Sequence, residues 1–259
     1  MMTRPVNSKS GIRKALIGAG VVGLAGSALG QSVDLTSFDY FHTGKWTQGS
    51  GAGGFQEMFG PKGAVGIEWD RTRPGHKALF LRPHVTRTTL VQTQSALVIR
   101  TGNLSKFDII AWEQTLRQYP VGATPGARDV GWLLWDYSDN AHFYAFILER
   151  NGWELIKQDP SYPGGQIVLD AGIAPTAPIN APQVVEISQS GATVVVQVDG
   201  ASVVDYTDQR NPYLSGSLGF YAQNAYVHFF GAPVPFAAPG PMPPGRPQPQ
   251  LQAPSGGKK

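Results

Sequence analysis

Residues 130–157 read VGWLLWDYSDNAHFYAFILERNGWELIK, and their two-residue alternation decides the fold. Pairing 130–137 with 142–149 through the Ser-Asp-Asn-Ala loop, and turning the chain again at Asn151-Gly152, sorts every side chain onto one of two sheet faces. One face receives Leu133, Trp135, Tyr137, His142, Tyr144, Phe146, Leu148, Trp153 and Leu155. It is overwhelmingly apolar and reads as core. The other receives Trp132, Leu134, Asp136, Phe143, Ala145, Ile147, Glu149, Glu154 and Ile156. In this register Glu149 and Glu154 stand opposite each other, with Trp132 diagonal to them. Like charges so placed repel unless water, a metal or a ligand lies over them.

The same rhythm extends outward. Strands are expected at about 65–70, 78–82, 94–101, 107–118, 166–169, 183–189, 216–222 and 225–230. ATVVVQV-DG-ASVVDYTD (192–208) is a hairpin whose Asp199-Gly200 supplies the positive φ angles of a tight turn. No helical periodicity of useful length interrupts them. More than ten antiparallel strands in one domain imply a two-sheet sandwich or jelly roll. The segment 49–66 holds seven glycines and a proline and suits tight turns, not a long strand.

The ends read differently. Residues 1–30 have a basic stretch (Arg4, Lys9, Arg13, Lys14), an apolar run from Ala15 to Leu24 and small residues at Ala28 and Gly30, the three parts of a secretory signal. The apolar run is too short for a confident membrane span. From Gly231 the chain turns Pro-rich, and 237–259 reads as a disordered extended tail. The expected organisation is a signal at 1–30, one all-β domain at 31–236 and the tail, in a secreted or periplasmic protein. The formal charge of +3 comes from the ends: seven Lys and Arg with no acids. It becomes −1 without the signal and −4 without the tail as well. That excludes a basic nucleic-acid footprint. The chain has no cysteine, so neither disulfides nor thiol chemistry enter. The five histidines show no zinc spacing, and no G-x-S-x-G elbow is present.

On the strand 107–118, Trp112 and Leu116 sort to one face and Glu113, Thr115 and Arg117 to the other. Together Glu113, Arg117, Trp132, Glu149 and Glu154 form the candidate carbohydrate surface. An indole stacks on the apolar side of a pyranose, while carboxylates and a guanidinium hydrogen-bond its hydroxyls. Two further readings stay open. One is a glycoside hydrolase or polysaccharide lyase drawing its acid and base from Glu149, Glu154 and Glu113; the other is a structural or protein-interaction module working through the tail. On either sugar reading the partner is an oligo- or polysaccharide. No cofactor is required, although Asp136, Asp139 and Asn140 are the nearest cluster of hard oxygen ligands for a Ca²⁺ ion. Trp132 is expected to be exposed and cheap to remove, and Trp135 to be core.

The strand pattern, with VEISQSGATVVVQVDGASVVDYTD (185–208) and SGSLGFYAQNAYVHFFG (215–231), resembles the concanavalin A-like lectin/glucanase superfamily. Within it the likeness is to the laminin G-like and 3-keto-disaccharide hydrolase-like domains of exported bacterial proteins, and it covers about residues 95–231. The resemblance implies a curved sheet whose concave face binds carbohydrate, and often a structural calcium. It does not carry over a catalytic set. Laminarinase-like members have E-x-D-x-x-E on one strand, whereas Glu68-Trp69-Asp70 is followed by Arg71, Thr72 and Arg73. The Asn-Ser-Gly strand start of the keto-disaccharide group is replaced by Asp129-Val130-Gly131.

Overall fold

The computed structural model describes residues 31–33, 35–83, 92–119 and 124–231. The expected signal, with its cleavage site at Ala28 to Gly30, and the Pro-rich tail lie outside the described residues. The early strands are short: β1 Gln31–Val33, β2 Gly44–Lys45, β3 Gly51–Ala52, β4 Phe55–Phe59, β5 Val65–Trp69 and β6 Lys77–Leu81. Longer strands follow: β7 Ser95–Leu104, β8 Lys106–Gln118, β9 Gly131–Asp139, β10 His142–Glu149, β11 Gly152–Gln158 and β12 Gln166–Gly172. The last five are β13 Gln183–Ser190, β14 Thr193–Val198, β15 Ala201–Thr207, β16 Gly216–Gln223 and β17 Ala225–Gly231. Two 3₁₀ turns, at Thr36–Tyr40 and Pro163–Gly165, are the helical elements among the described residues.

These strands form two sheets. Sheet I runs β15-β14-β13-β8-β17-β6-β5-β2, with β1 added in parallel beside β8; sheet II runs β12-β11-β10-β9-β16-β7-β4-β3. Every other pairing is antiparallel, so the architecture is the two-sheet antiparallel sandwich expected from the alternation. The core between the sheets takes one parity from each strand: Phe107, Ile109 and Ala111 from β8, Val227 and Phe229 from β17, and Leu133, Trp135, Tyr144, Phe146, Trp153 and Leu155 from sheet II. Burying these side chains at about 25 cal/mol per Å² of apolar surface is the main stabilising term.

A second apolar cluster lies on the far side of sheet II, away from that core. It contains Leu97, Ile99, Trp132, Leu134, Tyr137, Phe143, Ala145, Ile147 and Ile156, with Met58, Phe59 and Tyr221 packed against it. The parity read from residues 130–157 therefore holds, with one exception. Asp136 has a positive φ of 48°, and β9 slips against β16 beside it. This bulge turns Asp136 into the sandwich, where its Oδ2 accepts from Gln189 Nε2 at 2.7 Å, and throws Tyr137 onto the outer face. Gly216 permits it: a Cβ there would sit 2.3 Å from the Asp136 backbone.

The second hairpin differs in register by two residues. Glu149 faces Gly152 and Glu154 faces Ile147, so the two carboxylates are diagonal neighbours on the same face instead of a direct pair. At the start of β11 a Cβ on Gly152 would meet the Gly172 carbonyl oxygen of β12 at 2.0 Å. Only glycine lets β12 approach so closely there.

Candidate functional site

Three cross-strand rows on the outer face of sheet II build a cleft. The first runs Phe59, Leu97, Tyr221, Trp132, Ile147 and Glu154 across six strands. The second runs Ile99, Gly219, Leu134, Ala145 and Ile156. The third brings Phe143, Gln158 and Gln166 into line, with Tyr137 stacked on Phe143 at 6.1 Å and 28°. Large rings in the outer rows and small residues at Gly219 and Ala145 in the middle row leave a depression. Its volume is about 310 Å³, and it is lined by Phe59, Leu97, Trp132, Leu134, Tyr137, Asn140, Phe143, Gln158, Gln166 and Tyr221. That is the lower end of the size range of small-ligand sites.

The aromatic wall is ordered by specific contacts. Trp132 and Tyr221 pack at 4.8 Å and 54°, and Phe59 meets Tyr221 edge-on at 6.5 Å. The Trp132 indole N–H donates to the Arg128 carbonyl at 3.1 Å, which fixes the ring's tilt. Trp132 is only 7% exposed. The expectation of a freely exposed indole is corrected: the ring forms a wall of the cleft and is packed on its other sides.

Polar groups stand at the mouth. Arg128 donates to Glu154 Oε2 at 2.7 Å and to Gln166 Oε1 at 2.6 Å, and Gln166 in turn donates to Gln158 at 3.2 Å. The Tyr137 hydroxyl donates to Asn140 Oδ1 at 2.8 Å. One arginine thus orients two carboxamides along the rim. Carboxamides present both donors and acceptors, matching hydroxyls that do the same.

Of the five residues assigned from sequence to the sugar surface, Trp132, Glu149 and Glu154 share the outer face of sheet II, with Trp132 lining the cleft and Glu154 holding Arg128. Glu149 lies at the end of β10, largely buried, with Oε1 lacking a hydrogen-bond partner. Burial and the nearby Glu154 push its carboxyl up, against the pull of Arg128. Glu113 and Arg117 do not join them, because β8 belongs to sheet I. Glu113 points between the sheets beneath Gly131, where an added Cβ would come within 2.5 Å of its Oε1. It is 5% exposed, and burial pushes its pKa up to about 8. Arg117 is exposed on sheet I, 5.3 Å from the Tyr119 ring.

The proposed calcium ligands diverge. Asp136 faces Gln189 inside the sandwich, Asp139 accepts from the Ala141 N–H and pairs with His142 Nδ1 at 2.8 Å, and Asn140 accepts from Tyr137. These three residues do not fit a shared metal, and no group of three His, Asp or Glu among the described residues could hold one. Sequence reasoning missed Phe59, Tyr221, Arg128, Gln158 and Gln166. Tyr221 and Gln158 were visible as alternating members of their strands, but the pairing that brings β16 beside β9 spans about eighty residues.

No family model matches the chain, and no curated protein matches it. Solved structures similar to it include the carbohydrate-binding module CBM66 from Bacillus subtilis, 13% identical over 69% of this chain and 92% of that one, with a TM-score of 0.48. A galectin from Caenorhabditis elegans is 12% identical over 48% of this chain and 79% of its own, with a TM-score of 0.34. A β-glucanase from Bacillus licheniformis is 10% identical over 53% and 75%, with a TM-score of 0.39.

Proposed function

We propose that this chain is an exported carbohydrate-binding protein that holds a glycan in the cleft on the outer face of sheet II. The observation that carries the reading is the lining of that cleft. Its walls are aromatic, its rim is carboxamide and phenol, and no carboxylate lines it among the described residues. Such a surface stacks on sugar rings and hydrogen-bonds their hydroxyls without supplying an acid and a base to cleave them. Screening the full chain on a glycan array, with product analysis on each hit, tests it. Retention without released sugar is expected. The absence of any glycan hit, or equal retention by a Trp132→Ala variant shown to be folded, overturns it.

A hydrolase reading draws support from one feature. Burial and the nearby Glu154 push the Glu149 carboxyl up, and Glu154, ion-paired with Arg128 at 2.5 Å, stands on the same face, so two carboxyl groups in different surroundings lie within reach of one ligand, as acid/base cleavage needs. Release of reducing ends from a hit glycan, lost in Glu149→Gln, would move the assignment there.

A further inference from the structure

On the opposite side of the molecule, the outer face of sheet I carries a polar group that the cleft does not use. Glu68 on β5 stands opposite Ala78, whose methyl leaves room for the carboxylate to reach over β6 to β17. There Glu68 Oε1 accepts from the Tyr226 hydroxyl and lies 2.6 Å from His228 Nε2. Arg82 comes up beside them, its guanidinium 5.3 Å from the Tyr226 ring. These contacts with Tyr226 and His228, with help from Arg82, hold Glu68 ionised against the effect of burial.

Two features mark this group as unfinished. The first is a set of buried polar atoms without partners. His228, 2% exposed, turns Nε2 toward β5, so Nδ1 faces β8, where Gln114 is its direct cross-strand neighbour and fully buried. His228 Nδ1, Gln114 Oε1 and Arg82 Nε all lack a hydrogen bond. Buried polar groups left so are uncommon and cost stability unless something else satisfies them. The second is charge. Arg71 and Arg82 both act on the Tyr226 hydroxyl, and Arg82 and Arg117 both act on the Tyr119 hydroxyl. None of the three arginines forms an ion pair with a described residue. Glu68, already satisfied by Tyr226 and His228, is the carboxylate facing them. The patch is positive on a body whose formal charge is −4.

We propose that this face, centred on Arg82 and Tyr226, is a second binding site that takes an anionic glycan, a polysaccharide bearing carboxylate or sulfate groups. Arg82 and Arg117 meet the oxyanions, in charge-assisted hydrogen bonds. The Tyr226 hydroxyl and Glu68 meet ring hydroxyls, and His228 and Gln114 hold Glu68 and the floor in place. The site stands independently of the cleft on sheet II.

Affinity electrophoresis of the full chain in gels containing polygalacturonate, dextran sulfate or a neutral β-glucan tests it. Retardation by a polyanion is expected, and the arm that retards identifies carboxylate or sulfate as the group recognised. The double variant Arg82→Gln, Arg117→Gln should weaken that retardation roughly tenfold or more, with unchanged retention on any neutral glycan held by the cleft. Tyr226→Phe, which keeps the ring and removes the hydroxyl, should weaken it less. A melting curve confirms that each variant is folded. If neither polyanion retards the chain, or if the folded double variant is retarded as strongly as the parent, the proposal is wrong. Loss of polyanion binding on Trp132→Ala with full retention in the double variant would likewise overturn it, by moving the site to the cleft.

Discussion

Glu113 offers the sharpest physical test of the sandwich interior. Its carboxyl lies under Gly131 with Oε2 unpartnered, and burial raises its pKa from 4.5 to about 8. In the unfolded chain the group loses its proton near pH 4.5; in the folded chain it keeps the proton to about pH 8. Between those values the folded state binds more protons than the unfolded state, so stability falls as pH rises through the window and is level on either side. The shift of about 3.5 units, at 1.36 kcal/mol each, corresponds to about 5 kcal/mol across the window and about 3 kcal/mol by pH 7. Glu113→Gln keeps the shape and a donor but cannot ionise. Denaturant unfolding of the parent and of Glu113→Gln near pH 5, 7 and 9 should show the variant gaining on the parent by that amount. Parallel pH profiles for the two proteins would refute the assignment of Glu113 to a dry interior.

Further outcomes follow from the same structure. Trp135→Ala should cost about 3–5 kcal/mol in thermal or denaturant unfolding, as for other fully buried rings, while Trp132→Ala should abolish glycan retention and also cost stability in the lower part of that range because its ring is nearly buried. Arg128→Gln should cost no more than about 1 kcal/mol, as a half-exposed ion pair does, yet weaken glycan retention measurably, because Gln166 and Gln158 lose the group that orients them. Asp208→Asn should cost about 3 kcal/mol by removing the nearer counter-charge of the fully buried Lys157, at 2.8 Å, and leaving it only Asp159 at 4.0 Å. Burial opposes ionisation of Asp208, but the Lys157 ammonium and the Tyr144 hydroxyl hold its carboxyl below the ordinary value. Its contribution is therefore present above about pH 4 and is lost on acidification, and an acid-unfolding midpoint that does not move in Asp208→Asn would count against it.

Much of the fold was legible because hydrophobic alternation and turn residues are local. The hairpin through Asp199-Gly200 and the strands from β5 to β17 could be read without knowing their partners. The Gly-rich region was harder, since β3 and β4 are held by pairing with each other and with β7, and carry little alternation of their own. Parity survived even where register was misjudged. A shift of two residues at Asn151-Gly152 changes which side chains are opposite but leaves Glu149 and Glu154 on the same face. A bulge has the opposite effect. One extra residue at Asp136 exchanges the faces of Asp136 and Tyr137, and its enabling feature, Gly216, lies eighty residues away in sequence.

That exchange is also what makes the cleft. Had β9 continued in strict alternation, Asp136 would stand on the outer face beside Phe143, and Tyr137 would point into the core next to Trp135. The depression would then have a carboxylate in its wall and lack its third ring. The bulge instead sends the charged group inward, where Gln189 receives it, and sends the phenol outward, where it stacks on Phe143 and holds Asn140 at the mouth. Asp136 pays for this with a positive φ and a carboxyl pushed up to about 6 by burial. A local rule broken at one residue, with its cost met inside the core, is common where function shapes a sheet. Here it leaves an aromatic and neutral surface where strict alternation would have placed a carboxylate, and the proposed reading of the cleft as a binding surface rests on that exchange.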